Sequence, residues 1–178
     1  MILAVAGRRI DGSDAKDSHF PLHNVDLVRQ RMRSLLHASA ATTMVSSAAC
    51  GADLIALSEA RELTLRRRII LPFARDRFRI TSVADRPGNW GPLYDEILDE
   101  AEASGDLIVL EEASDEQGYR VVNRAILDAA SAFMKELRQP ASAVLVWKGD
   151  SRGDADMTED FGIEAKRRGL PVLEVLTV

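Results

Sequence analysis

Val45-Ser46-Ser47-Ala48-Ala49-Cys50-Gly51-Ala52-Asp53 is the stretch that decides the fold. A short, largely β-branched run, Thr42 to Val45, leads into it, and its loop residues are small. Leu54, Ile55, Leu57, Ala60 and Leu63 then recur at roughly helical spacing. The pattern is strand, tight turn, helix start. Such a turn is expected to leave backbone N–H groups open at the positive end of a helix dipole, where phosphate is stabilised.

Working outward, the same unit repeats. Apolar runs at Ile2–Ala6, Arg68–Phe73, Leu107–Leu110, Ala143–Trp147 and Pro171–Val175 read as further strands. Helical stripes fall between them: Val25, Val28, Met32, Leu35 and Leu36; Leu93, Ile97, Leu98 and Ala101; Tyr119, Val122, Ile126, Ala130, Phe133 and Leu137. A short helix is expected near Asp76 to Thr81, and another ending near Arg168. Arg66-Arg67-Arg68 reads as the cationic close of the second helix. Alternating strands and helices predict an α/β fold: a three-layer, Rossmann-like, mostly parallel sheet of about six strands with helices on both faces. Residues 1–178 read as a single domain, with no internal repeat and no low-complexity tract.

The chain has 178 residues, 46% apolar and 29% charged, a soluble composition that can bury a substantial core. A net charge of −5 disfavours nucleic acid as partner. Cys50 is the one cysteine, so no internal disulfide forms and a reducing, cytoplasmic setting is expected. Arg8 and Arg9 follow the first apolar run too soon for a secretory signal, and no run is long enough to span a membrane. Metal spacings are missing: Pro21 separates His19 from His23, and neither HExxH nor CxxC occurs. GxGxxG, GxxxxGK[ST] and GxSxG are absent too.

Ligands of open α/β sheets sit beyond the carboxyl ends of the strands. The loops there carry Gly7, Arg8 and Arg9; Ser46, Ser47, Gly51 and Asp53; Phe73 and the arginines Arg75, Arg77, Arg79 and Arg86; and Trp147, Lys148, Gly149, Asp150, Arg152 and Gly153. Each has a structural alternative. Gly7 suits a tight turn, and Arg8 and Arg9 suit a solvated surface. Asp53 suits a helix N-terminus. Cys50 suits a buried packing role, and Trp147 and Trp90 suit packing under helices. The four loop arginines read equally as an anion clamp or a solvated face. Tyr119 and Asn123 read as a polar outer helix face, and Asp95, Glu96, Asp99, Glu100 and Glu102 as a solvated helix side.

Together these residues resemble the SLOG superfamily, the Rossmann-like group that includes DNA-processing protein A, the Lonely Guy phosphoribohydrolases and uncharacterised bacterial proteins. Ala6-Gly7-Arg8-Arg9 is similar to its first-strand Gly-His-Arg turn, and Ser46 through Asp53 to its Ser-Gly-Gly-Ala-x-Gly-x-Asp loop. Leu71-Pro72-Phe73, Val146-Trp147-Lys148-Gly149, Gly153-Asp154-Ala155-Asp156 and Gly169-Leu170-Pro171-Val172 follow the same pattern. Ser47 and Ala48 replace glycines, Asp154 replaces a threonine, and Lys148 replaces an aspartate. No Pro-Gly-Gly-x-Gly-Thr-x-x-Glu run occurs, so no catalytic residue of the phosphoribohydrolases carries over.

The resemblance implies a nucleotide-binding or sensing protein that cradles phosphate after its second strand. It implies no required cofactor beyond a bound nucleotide or phosphate, and it is compatible with a homo-oligomer. The alternative is an N-glycosidic nucleotide hydrolase or deoxyribosyltransferase-like enzyme, with Asp53, Asp150, Asp154, Glu111 or Glu112 as its carboxylate. A third reading is an interaction domain without a ligand, signalled by loop amides already capped by side chains.

Overall fold

The computed structural model describes residues 1–111, 116–153 and 156–178. Among them six strands form one all-parallel sheet in the order β4-β3-β2-β1-β5-β6. The strands are β1 (Ile2–Gly7), β2 (Thr43–Ser46), β3 (Arg66–Leu71), β4 (Leu107–Val109), β5 (Ala141–Trp147) and β6 (Val172–Leu176). The helices are α1 (Val25–Ala38), α2 (Ala52–Glu62), α3 (Arg75–Phe78), α4 (Gly91–Ala103), α5 (Glu116–Leu137) and α6 (Met157–Arg167). A π-helical turn, Arg79–Val83, continues α3.

Side-chain alternation divides the core. Leu3, Val5, Met44, Ile69, Leu71, Val144 and Val146 pack with α1, α2 and α4 on one face. Ile2, Ala4, Val45, Ile70, Ala143 and Leu145 pack with α5 and α6 on the other. This is a three-layer α/β fold. Helix α2 is buried almost all round, including Glu59, whose carboxylate accepts from Arg29 and Arg33 of α1.

β1 runs in register with β5 from Ile2 opposite Ala141 to Gly7 opposite Val146, and with β2 on its other side. The chain builds outward from β1 to β4, then crosses through α5 to start again at β5. The point of reversal therefore lies between β1 and β5, where the crevice of an open parallel sheet forms.

The arginine triplet belongs to β3 and not to the end of α2. Arg66 and Arg68 point to one face, stand 4.5 and 4.8 Å from the Phe133 ring centroid, and share the Asp106 carboxylate. Alternation along a strand and a common anion make an arginine-rich strand stable there. Helix α4 turns its acidic side to solvent, as the sequence reading expects, and surface ion pairs run along it. Asp95 pairs with Arg79, Glu96 and Glu100 with Arg61, and Asp99 and Glu102 with Arg75. No helix among the described residues is long and apolar enough to cross a membrane.

Candidate functional site

Two glycines let three segments meet at the reversal point. A Cβ on Gly7 would lie 2.5 Å from the Ala52 Cβ and 2.5 Å from the Val146 carbonyl oxygen. Gly51 has φ +90, and a Cβ there would lie 2.9 Å from the Arg8 carbonyl oxygen and from the Ile10 nitrogen. Glycine alone permits both approaches. The exits of β1 and β5 and the start of α2 are thereby drawn to one corner.

Three amides at that corner are committed inside the fold. Ala49 N–H donates to Asp53 Oδ2 at 3.1 Å, Cys50 N–H to the Ser82 carbonyl at 3.0 Å and Ala52 N–H to the Arg8 carbonyl at 3.0 Å. For these three the expectation of open main-chain donors is corrected: a local carboxylate and two neighbouring segments already satisfy them. Gly51 lies beneath the Arg8–Ile10 backbone, in a layer below the surface.

A cavity of about 380 Å³ opens beside it. Its walls come from the β1 exit, the loop before α2, the π-turn, α5 and the start of α6. Of the residues anticipated from sequence, Gly7, Arg8, Arg9, Ser47, Asp53 and Arg152 line it. The others lie elsewhere. Ser46 is buried with its hydroxyl donating to the Val5 carbonyl at 3.1 Å. Phe73 sits behind the wall, its ring centroid 5.8 Å from that of Phe78 and 6.3 Å from that of Tyr119. Trp147 is buried in the α5/α6 core. Arg79 is held by Asp95, Gly149 abuts Leu176, and Gly153 is exposed. Asp154 and Glu112 lie outside the described residues.

The loop arginines also separate. Arg75 and Arg79 serve α4, and Arg77 lies 4.9 Å from the Phe73 ring centroid. Arg86 alone of the four lines the cavity. Arg8 is 2% exposed and its guanidinium is bidentate to Asp156, with a further bond to the Asp150 carbonyl at 3.2 Å. Its charge serves the scaffold. Asp156 also caps α6, accepting from the amides of Thr158 at 3.0 Å, Glu159 at 3.3 Å and Arg152 at 2.8 Å. Burial opposes the charged form of Asp156, but Arg8 and these amides outweigh it and hold the carboxyl at about 2.

Arg9 and Arg86 share one carboxylate, Asp85, and Arg152 makes no ion pair with any described residue. Six buried side-chain polar atoms lack a hydrogen-bond partner among the described residues. Four of them, Arg8 Nε, Arg9 Nε, Arg86 Nε and His19 Nδ1, belong to residues of this cavity wall.

Asp53 is the opposite case. It is 7% exposed, lines the cavity and is in no ion pair among the described residues. Burial pushes its carboxyl up to about 7, against the pull of the Ala49 amide, the Ser46 side chain and Arg9. Asp150 pairs with Lys148 outside the cavity, and Glu111 is exposed at the β4 exit. Cys50 is fully buried, and burial pushes its thiol up.

Sequence reading missed Phe78, Ser82, Tyr119, Asn123 and Thr158 as wall residues. Tyr119 hydroxyl lies 3.1 Å from Ser82 Oγ, and Asn123 Nδ2 donates to the Met157 carbonyl at 2.9 Å. A signal was present: Tyr119, Val122, Asn123 and Ile126 share one helical stripe, so the polar pair must face inward with the apolar pair. Among the described residues no group of three or more His, Cys, Asp or Glu could hold a metal ion.

No family model matches the chain, and no curated protein matches it. Among the solved structures that resemble it is the X-ray structure of DNA processing protein A from Streptococcus pneumoniae. The identity is 12% and the TM-score 0.42, over 99% of this chain. The chain spans 58% of that protein's length. At that score the strand order, and not the likeness, defines the fold.

Proposed function

We propose that the chain binds a nucleotide or nucleotide derivative in the cavity between β1 and β5. Arg9, Arg86 and Arg152 meet the phosphate through their side chains, in place of loop amides. Phe78, Tyr119, Val122 and Ile126 offer the apolar wall for the base or sugar. The observation that carries this reading is the convergence of Arg9, Arg86 and Arg152 on one cavity wall, where Arg9 and Arg86 share the single carboxylate of Asp85 and Arg152 has no ion-pair partner among the described residues. An oxyanion supplies the missing countercharge and acceptors. About 380 Å³ lies within the size range of small-molecule sites.

The test is thermal and chemical denaturation with a panel of AMP, ADP, ADP-ribose and cyclic nucleotides. A ligand at ~100 times its dissociation constant raises stability by about 2.7 kcal/mol. The double variant Arg86→Ala, Arg152→Ala should lose that gain. A panel without any shift sinks the reading.

Asp53 favours a second reading, N-glycosidic cleavage. A carboxyl at about 7 facing a cavity suits proton transfer near neutral pH. Free base released from nucleoside monophosphates by the protein, and lost in Asp53→Asn, would support it. Release that survives in Asp53→Asn would remove Asp53 from that role.

A further inference from the structure

Asp53 has an unusual setting for a carboxyl in a cavity rich in arginine. Among the described residues no cation pairs with it, and the Ala49 amide donates to its Oδ2. Arg9 faces it from the β1 exit but is tied to Asp85. Ser46, on β2, directs its hydroxyl to Val5. On α5, Tyr119 is engaged with Ser82, and the neighbouring Cys50 thiol is buried. The other charged or titratable wall groups are Asp11, Asp17 and His19 from the loop after β1, Arg8, which is paired with Asp156, and Arg86 and Arg152. Asp11 is occupied by the amides of His19 and Phe20.

We propose that the cavity takes up a proton when it takes up an anion, and that Asp53 receives it. The inference rests on the anion-binding reading above and names a regulation of that same site. An anion drawn to Arg9 removes the one cation that favours ionised Asp53. It also places a second negative charge in the same poorly solvated space. Both effects favour the neutral carboxyl. Burial has already brought that group to the edge of protonation at neutral pH, so a modest further push changes its charge. Binding and protonation are then linked: each strengthens the other. Affinity should fall by up to about tenfold per pH unit above neutrality, because the proton must be supplied from solvent.

The experiment is calorimetry with AMP and, separately, inorganic sulfate, which does not titrate in this range. Each is run from about pH 6.5 to about pH 8.5 in buffers of different ionisation enthalpy. The wild-type protein should take up a fraction of a proton per anion, greatest between the free and the anion-bound value of the carboxyl, with affinity falling as pH rises through that interval. Asp53→Asn should lose both the uptake and the pH dependence, and His19→Gln should keep them. The buffer comparison on the wild-type protein needs no variant to fold. Binding without proton uptake overturns the inference and leaves the anion site standing. Uptake that persists in Asp53→Asn also overturns it. If neither probe binds at any of these pH values, the inference and the function both fall.

Discussion

At the residue scale, the Arg8–Asp156 pair shows why position matters more than residue type. An arginine after the first strand was expected to meet a ligand. Instead it crosses to the start of α6 and joins two loops that are far apart in sequence. The two partners are unequally supported. Asp156 also accepts from three backbone amides, whereas Arg8 is otherwise bonded to the Asp150 carbonyl. Removing the anion strands a buried guanidinium. Removing the cation leaves a carboxylate still solvated by amides. Asp156→Asn should therefore cost about 3–5 kcal/mol, the range for breaking a buried pair. Arg8→Met should cost less, roughly 1–3 kcal/mol. Urea denaturation of both variants checks the order, and a larger loss for Arg8→Met would contradict it.

At the element scale, the corner where β1, α2 and β5 converge depends on two missing side chains. A methyl group at Gly7 meets the Ala52 Cβ and the Val146 backbone, neither of which is a flexible tip. At Gly51 the φ of +90 adds backbone strain to the 2.9 Å approach. Gly7→Ala and Gly51→Ala should each destabilise by about 1–3 kcal/mol and weaken anion binding, since both move the cavity wall. Normal stability with normal binding in either variant would show that the corner is looser than drawn. These elements were legible because apolar runs and helical stripes report burial directly. Each of the six strands lies within a few residues of its apolar run. The site was less legible. Sequence spacing shows which residues share a strand exit, but not how neighbouring loops close on one another. The Cys50 and Ala52 amides looked open because their acceptors, the Ser82 and Arg8 carbonyls, come from other segments. Arg79 and Arg86 are equivalent in sequence, and only the fold places Asp95 beside one and the cavity beside the other.

For the whole molecule, the buried carboxyls pull stability in opposite directions as pH changes. Asp156 has a folded value of about 2, below its unfolded one. Its contribution, roughly 2 to 3 kcal/mol, is present above the unfolded value near 3.9 and is lost as pH falls towards about 2. Asp106 adds to this limb. Burial opposes its charge, but Arg66 and Arg68 prevail and lower its value. Asp53 has a folded value of about 7, above its unfolded one. The folded protein therefore holds this proton more tightly than the unfolded chain. That advantage is complete below the unfolded value and is lost as pH rises from about 4 to about 7, a change of roughly 4 kcal/mol. The two limbs together place maximum stability near pH 4 to 5, on the acid side of the usual range. Asp53→Asn, whose amide oxygen can still accept from Ala49, should erase the decline towards neutral pH and leave the acid limb unchanged. Urea midpoints at intervals from about pH 3 to about pH 8 test this. Parallel curves for the wild-type protein and Asp53→Asn would mean that the Asp53 carboxyl is ionised throughout the folded range, with water or Arg9 supplying the solvation that burial is argued to remove.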